Sequence, residues 1–452
     1  PARAEQRRGP PRSDTLAAAL RRWLGLGAVT MSIPPSSSPP PQRHHPLWLM
    51  LLALLTGFAL SQAFRTVTST LAHGLQTEFG LSNAGLGAFA GLFGLSFGIA
   101  QLLMGIALDK FGLRRTIVCA LPLAVAGALL SALAPSYPVL MLGQLLIGVG
   151  CSPAFLVCTL FVARHFPPER FAFFSGLCLG GGGLGLLFTG TPLAWVVQTW
   201  NWRVGFAVLA VLCLLAWGLI YRLVHEPPSP HAPPPSQEGW GQALRGFFQL
   251  FALPHTWGIV VLGMSCYAAF LSLRGLWLGP LLMGRFDFSL VQAGNVALGV
   301  SLISLFAPGL FGRLDPGVAG RRKWLGRASL ALAGFFVVLA FAPWASASVA
   351  LILFMGLLSG YAPLQYADVR ASYPAELTGR ALSVFTMAMF LGVAAMQWLT
   401  GSVAAWASAQ GLDVYTVVLC TIATWLALAS VAFRVLPQSP LLAQASERPT
   451  SP

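Results

Sequence analysis

From about residue 47 onward the chain alternates long apolar runs with short polar breaks. Each run is close to twenty residues. At about 1.5 Å of rise per residue, a helix of that length crosses a hydrocarbon core of about 30 Å. The runs fall at 47–74, 84–107, 116–134, 138–162, 171–197 and 203–224. After a proline-dense interruption, six more follow at 256–283, 290–311, 327–343, 347–369, 380–406 and 413–434. The pattern predicts an all-α membrane protein of twelve transmembrane helices in two pseudo-symmetric six-helix halves. Residues 1–46 form a disordered N-terminal segment rich in Arg, Pro and Ser. Residues 47–224 make the first half, 225–255 a linker, 256–434 the second half and 435–452 a polar tail. Within the linker, 240–251 is amphipathic and is expected to lie along the membrane surface. The chain opens without Met, and Met31 begins a plausible start, so residues 1–30 read as upstream translation or a fragment end.

Composition agrees with the pattern. Hydrophobic residues make up 56% of the chain and charged residues only 9%, against roughly 25% charged in a soluble globular protein. A net charge of +14 would suggest nucleic acid in a soluble chain, but here the basic residues gather in alternate breaks. Lys110, Arg114 and Arg115 follow the second run; Arg164 and Arg170 the fourth; Arg222 and Arg245 the sixth. Arg321, Arg322 and Lys323 follow the eighth, and Arg370 and Arg380 the tenth. That bias is the mark of cytoplasmic loops. It places both termini, the linker and the even-numbered breaks in the cytoplasm of a multi-pass plasma (inner) membrane protein. The bilayer is the expected partner, nucleic acid is not, and a monomer is expected. The seven cysteines lie in apolar runs without metal spacing, so they read as small packing residues and no cofactor or metal is expected. No His–Asp or Ser–His set shares a membrane depth, which speaks against a lipid-modifying enzyme.

Two arginines break the apolar pattern. Arg65 sits in Phe64-Arg65-Thr66-Val67, and Arg274 sits 209 positions later in Leu273-Arg274-Gly275-Leu276. The same offset carries Glu78, Phe79, Leu81, Ala84 and Gly85 onto Asp287, Phe288, Leu290, Ala293 and Gly294. Phe166-Pro167-Pro168-Glu169 likewise matches Tyr373-Pro374-Ala375-Glu376, and Leu108-Asp109 matches Leu314-Asp315. With Leu75 and Gly284 as outer span ends, each arginine lies about 15 Å deep, near the midplane. A cation there costs about 2.5–3.5 kcal/mol on insertion scales. The acids sit in loops, tails or span ends, with Asp368 nearest to the membrane interior. A pair of guanidinium groups without a counter-ion is a reasonable anion site, since each can grip a carboxylate or phosphate bidentately. The alternative is that each arginine bonds backbone carbonyls or glutamines, or reaches outward to the headgroups. Gln62, Thr68, Ser61 and Ser69 share the helical face of Arg65. Trp277, Tyr361 and Gln365 complete the candidate substrate-binding set, with Tyr267, Asn295 and Gln397 as weaker candidates.

Between the second and third runs the chain reads Gly105-Ile106-Ala107-Leu108-Asp109-Lys110-Phe111-Gly112-Leu113-Arg114-Arg115. Gly105 permits close helix approach and Gly112 a tight turn. Asp109 can pair with a cation or cap a helix, while Arg114 and Arg115 hold the loop at the headgroups. The string resembles the signature loop of the major facilitator superfamily, which implies a conformational latch formed by Gly105, Asp109, Gly112, Arg114 and Arg115. The resemblance also implies a secondary active transporter working by alternating access rather than an enzyme. The paired arginines are similar to those of its organophosphate and anion:cation symporter branches, which implies a small organic or phosphorylated anion as substrate. The chain departs from the pattern at three places. Phe311 and Pro316 spoil the second copy of the loop. Gln144 stands where the superfamily often has an arginine. The glycines from Gly180 to Gly185, followed by Gly190-Thr191-Pro192, do not reproduce the drug-antiporter signature. Export of a neutral or cationic drug-like solute, and a non-transporting membrane sensor, remain the alternatives.

Overall fold

A computed structural model of the chain describes residues 46–166, 171–225 and 240–442. The compact unit that begins at His45 is built from helices, and eleven stretches among the described residues are long and apolar enough to cross a membrane. In chain order the first helices are α1 (Leu47–Phe79), α2 (Asn83–Ala132), α3 (Tyr137–Cys151), α4 (Ala154–His165), α5 (Phe171–Phe188), α6 (Thr191–Thr199) and α7 (Trp202–Leu223). Then follow α8 (Trp240–Leu250), α9 (Pro254–Gly263), α10 (Cys266–Ser272), α11 (Leu278–Phe286) and α12 (Leu290–Arg313). The last are α13 (Gly317–Ala340), α14 (Ala345–Leu358), α15 (Ala362–Ser372), α16 (Ala375–Ala409) and α17 (Val414–Val435). Large apolar side chains such as Ile99, Leu184, Phe306, Trp398 and Leu428 point outward. In water that surface would be unstable; in lipid it is solvated.

Several apolar runs prove to be broken helices. The two runs at 84–107 and 116–134 share the 50-residue α2, which at about 1.5 Å per residue is far too long for one crossing. Gly112 interrupts it with φ 80° and ψ 173°, a backbone region essentially confined to glycine. The run at 171–197 is divided at Thr189-Gly190, ahead of Pro192, into α5 and α6. The run at 256–283 is divided at Met264-Ser265 and again by a π-helical turn at Leu273–Trp277 between α10 and α11. The run at 347–369 is divided by a 3₁₀ turn at Ser359–Tyr361. Hydropathy reads span length but not these interruptions.

One expected boundary shifts. The run placed at 327–343 belongs to α13, which already starts at Gly317. Its first turns carry Arg321, Arg322 and Lys323, residues that are good helix formers but invisible to an apolar pattern. The amphipathic 240–251 stretch is α8. Its Gly246, Phe247 and Leu250 are buried while Phe248 is exposed, so it docks by one face on the bundle rather than lying free. The N-terminal segment to residue 45, the proline-dense 226–239 and the tail from 443 lie outside the described residues, as does Glu169 of the repeated Pro-containing motif.

Close packing is bought by small residues at helix crossings. A Cβ on Gly87 of α2 would fall 2.5 Å from the Gln397 carbonyl oxygen and 2.8 Å from the Gly401 Cα of α16. The two backbones therefore touch, the usual means of tight helix association in lipid. Cys151, Cys158, Cys178, Cys213 and Cys266 are buried, and all seven thiols are free.

Candidate functional site

The site forms where α1 crosses the broken helix α10–α11. A Cβ on Gly275 would lie 2.8 Å from the Arg65 carbonyl oxygen, and the Gly279 amide donates to Ser69 Oγ at 2.8 Å. The crossing thus sets Arg65 and Arg274 on adjoining turns of neighbouring helices. Thr189, at the α5–α6 break, joins them. Its hydroxyl shares a 2.7 Å hydrogen bond with Thr66, and its carbonyl accepts from Thr70 at 3.0 Å.

The two guanidinium groups turn to different partners. Arg65 Nη1 donates to the Tyr267 hydroxyl at 3.0 Å and Nη2 to Ser61 Oγ at 3.2 Å. Its charged carbon stands 4.7 Å from the Phe390 ring centroid, 4.9 Å from Phe97 and 5.9 Å from Phe58, and the Phe97 and Phe390 rings are stacked at 3.9 Å. Arg65 stays half-buried, with Nε buried and without a partner. Arg274 is 1% exposed. Its Nη2 donates to the Leu186 carbonyl at 3.1 Å and to Thr189 Oγ1 at 3.4 Å, and its Nε to Ser301 Oγ at 3.2 Å. Among the described residues neither arginine is ion-paired. Of the acids near the span ends, Glu78 is engaged with Arg203 and Trp202, Asp413 with Arg285 and Asp315 with Arg321, while Asp368 is buried in α15 with neither carboxylate oxygen hydrogen-bonded among the described residues.

Magnitudes separate the two. Three hydrogen bonds from a charged donor, at about 1.5–3 kcal/mol each, offset the insertion cost of Arg274 of about 2.5–3.5 kcal/mol. Arg274 is therefore largely satisfied by the protein and ties α5, α12 and the π turn together. Arg65 has two hydrogen bonds and a set of aromatic faces, each worth about 0.5–2 kcal/mol. None of these contacts carries negative charge, so the region around Arg65 keeps a positive potential beside a polar face.

The remaining candidates do not all converge. Gln62 is half-buried on the α1 face near Arg65, with Oε1 unpaired. Trp277 is buried and donates from Nε1 to Thr400 Oγ1 at 3.0 Å, joining the π turn to α16. Tyr361 is buried and pairs with Ser329 of α13 at 2.9 Å. Gln365 is fully buried in α15 with both amide atoms unpaired. Asn295 is exposed and accepts from Thr191 at 2.6 Å, linking α6 to α12. Sequence reasoning missed Thr189, Ser301, Phe97 and Phe390. Only Thr189 carried a signal, its place before the Gly-Thr-Pro break.

In the loop motif, Gly112 makes the expected turn and Arg114 has a definite task. Its Nε donates to the Val224 carbonyl at 2.7 Å and its Nη2 to that of Tyr221 at 3.1 Å, capping the C-terminus of α7 where a cation is favoured. Arg322 does the same for α17, donating to the carbonyls of Phe433 and Leu436 at 2.5 and 3.0 Å. Arg115 and Asp109 are exposed. Among the described residues no heavy atom lies within 4 Å of a Cβ built on Gly105.

Known proteins share parts of this sequence and its fold. Over 167 residues the chain is 27% identical to the hexuronate transporter of Bacillus subtilis, covering 36% of this chain and 39% of that protein. It is 30% identical over 164 residues to the solute carrier family 2 facilitated glucose transporter member 10 of Mus musculus, covering 36% and 30%. It is 24% identical over 189 residues to the probable galactarate/D-glucarate transporter GarP of Escherichia coli, covering 40% and 43%. The matched region spans less than half the length of these relatives. The fold is similar to that of a D-xylose-proton symporter, with a TM-score of 0.67 at 17% identity, covering 87% of this chain and 99% of that one. The family model for the Major Facilitator Superfamily matches residues 53–319, more than half of the chain. With eleven described stretches able to cross a membrane, the chain belongs to the Major Facilitator Superfamily.

Proposed function

We propose that the protein is a secondary carrier of a small organic anion, working by alternating access, with Arg65 as the anion anchor. The observation that carries this reading is the Arg65 guanidinium: half-buried near the middle of α1, faced by Tyr267, Ser61 and aromatic rings, with no ion-pair partner among the described residues. A carboxylate or phosphate entering there gains a charge-assisted contact that the protein itself does not supply. Arg274 shapes the same region from behind and adds positive potential through an Nη1 that has no protein partner. Gln62 lies on the face the anion would meet, while Trp277, Tyr361 and Gln365 support the surrounding helices. The resemblance to transporters of hexuronate and of galactarate and D-glucarate favours a sugar acid. The likeness to a facilitated glucose transporter makes a neutral hexose the second reading.

The same reading includes twelve crossings, with α2 counted as two, in two related halves. Arg114 capping α7 and Arg322 capping α17 support that repeat, since they occupy matching places in the chain. Contacts at Gly87–Gly401, Thr191–Asn295 and Ser69–Gly279 seal the seam toward the ends opposite the basic loops. That corresponds to the inward-facing stage of a cycle in a plasma-membrane protein with cytoplasmic termini. The loop from Gly105 to Arg115, with Asp109 exposed, is placed to latch the opposite stage. Uptake of labelled hexuronate, glucarate and hexose into proteoliposomes, with and without a proton gradient, tests the proposal. Flux of the acids that is lost in Arg65→Gln supports it, and flux of hexose alone refutes it.

A further inference from the structure

Away from the site, the ends of α13 and α17 enclose a cavity of about 460 Å³ that the transport reading does not use. Arg322, Lys323, Arg327 and Arg434 line it, with Gln438 and Leu442 on the far wall. That wall is fixed rather than loose. Beyond α17 the chain turns back, and Ser439 donates to the Ser372 carbonyl at 2.7 Å while accepting from the Leu441 amide. Ser439 and Leu442 are both buried. Arg322 is held by the carbonyls of Phe433 and Leu436, with its charge stacked 4.2 Å from the Phe433 ring. Lys323, Arg327 and Arg434 are exposed and have no hydrogen-bond or ion-pair partner among the described residues. Asp315 is already taken by Arg321, and the buried Asp368 of α15 interacts electrostatically with Arg322 and Arg321.

Lys323, Arg327 and Arg434 gather around a cavity whose lining holds no carboxylate, and an anion between them relieves their mutual repulsion. The volume is within the range of small-molecule sites, about 300–1,000 Å³. Its position at helix ends, flanked by exposed apolar residues such as Val318 and Val435, suits a headgroup whose chains remain in the bilayer. We propose that this cavity is a binding site for a phosphate group, distinct from the transport site and carried by Lys323, Arg327 and Arg434. A phosphodiester of an anionic lipid and a soluble phosphate share that chemistry, and the experiment separates them.

The purified full-length protein in detergent is titrated with dioleoylphosphatidylglycerol, dioleoylphosphatidylcholine and inorganic phosphate. Retention is read by native mass spectrometry for the lipids and by thermal shift for phosphate. The expected result is binding of phosphatidylglycerol or phosphate, weakened at least tenfold in the triple variant Lys323→Gln, Arg327→Gln, Arg434→Gln. Arg222→Gln, a basic change elsewhere, should leave binding unchanged. The charge-keeping variant Lys323→Arg, Arg327→Lys, Arg434→Lys should also bind, which separates lost charge from lost fold. Binding of phosphatidylglycerol alone names a lipid site, and binding of phosphate alone a soluble ligand. Equal retention of phosphatidylcholine, equal affinity in the neutralised triple variant, or no binding of either anionic probe overturns the proposal.

Discussion

Arg65 and Arg274 share sequence context but differ in what surrounds them, and their variants should differ accordingly. Removing Arg274 takes a charged donor from the Leu186 carbonyl, Thr189 and Ser301, at about 1.5–3 kcal/mol for each such bond, although Thr189 and Ser301 still donate to that carbonyl. Arg274→Gln should therefore lower the melting temperature of the detergent-solubilised protein by several degrees. Arg65→Gln should barely move it, because Tyr267 is only half-buried and Ser61 still donates to the Cys151 carbonyl. A comparable loss of stability in both variants would contradict the division of roles. Arg65→Lys is a sharper test. Lysine keeps the charge but not the planar two-donor face, so uptake of a carboxylate substrate should fall by about 10- to 100-fold, equivalent to about 1.4–2.8 kcal/mol. Unchanged uptake would show that charge alone suffices.

At the level of elements, the seam between α2 and α16 depends on two glycines that touch. Gly87→Leu should hold the seam apart and trap the carrier open on that side, seen as increased maleimide labelling of a cysteine placed at Asn83. Unchanged labelling would mean that the seam yields. Gly112→Ala forces a residue with a Cβ into φ 80°, at a cost of about 1–3 kcal/mol, and should lower the yield of folded protein. Outside the spans, Arg321 holds the Asp315 carboxyl below its ordinary range. Such a group contributes stability above its unfolded pKa and loses it as pH falls through the lower folded value. Melting temperature should therefore decline on the acid side more steeply in the wild type than in Asp315→Asn. Identical acid limbs would show that the pair contributes nothing. The apolar runs were legible because lipid demands about twenty apolar residues per crossing. The breaks at Thr189, Ser265 and the π turn were not, since backbone hydrogen-bond shifts leave little trace in hydropathy. The start of α13 was hidden for the opposite reason, a helix whose first turns are charged.

At the scale of the whole molecule, the repeated arginine pointed to the crossing of α1 with α10–α11 but not to the different surroundings of its two copies. Sequence spacing placed Arg65 and Arg274 at equal depth. It could not show that Thr189 from another helix would engage one of them, or that Phe97 and Phe390 would stack beside the other. Equal depth became unequal environment only once α5, α12 and α16 had packed. The proposed carrier then follows from one imbalance, a cation at the centre of the bundle met by dipoles and ring faces but by no anion. A substrate that supplies the missing charge stabilises closure around itself, and the break points in α5–α6 and α10–α11 are where the helices could rearrange. The most direct measurement is paired uptake of a labelled hexuronate and the matching neutral hexose into proteoliposomes holding wild type or Arg65→Gln protein. The account predicts that wild type takes up the hexuronate in preference to the hexose, and that Arg65→Gln loses the hexuronate flux while keeping its fold. Equal hexuronate flux in the two proteins would contradict it.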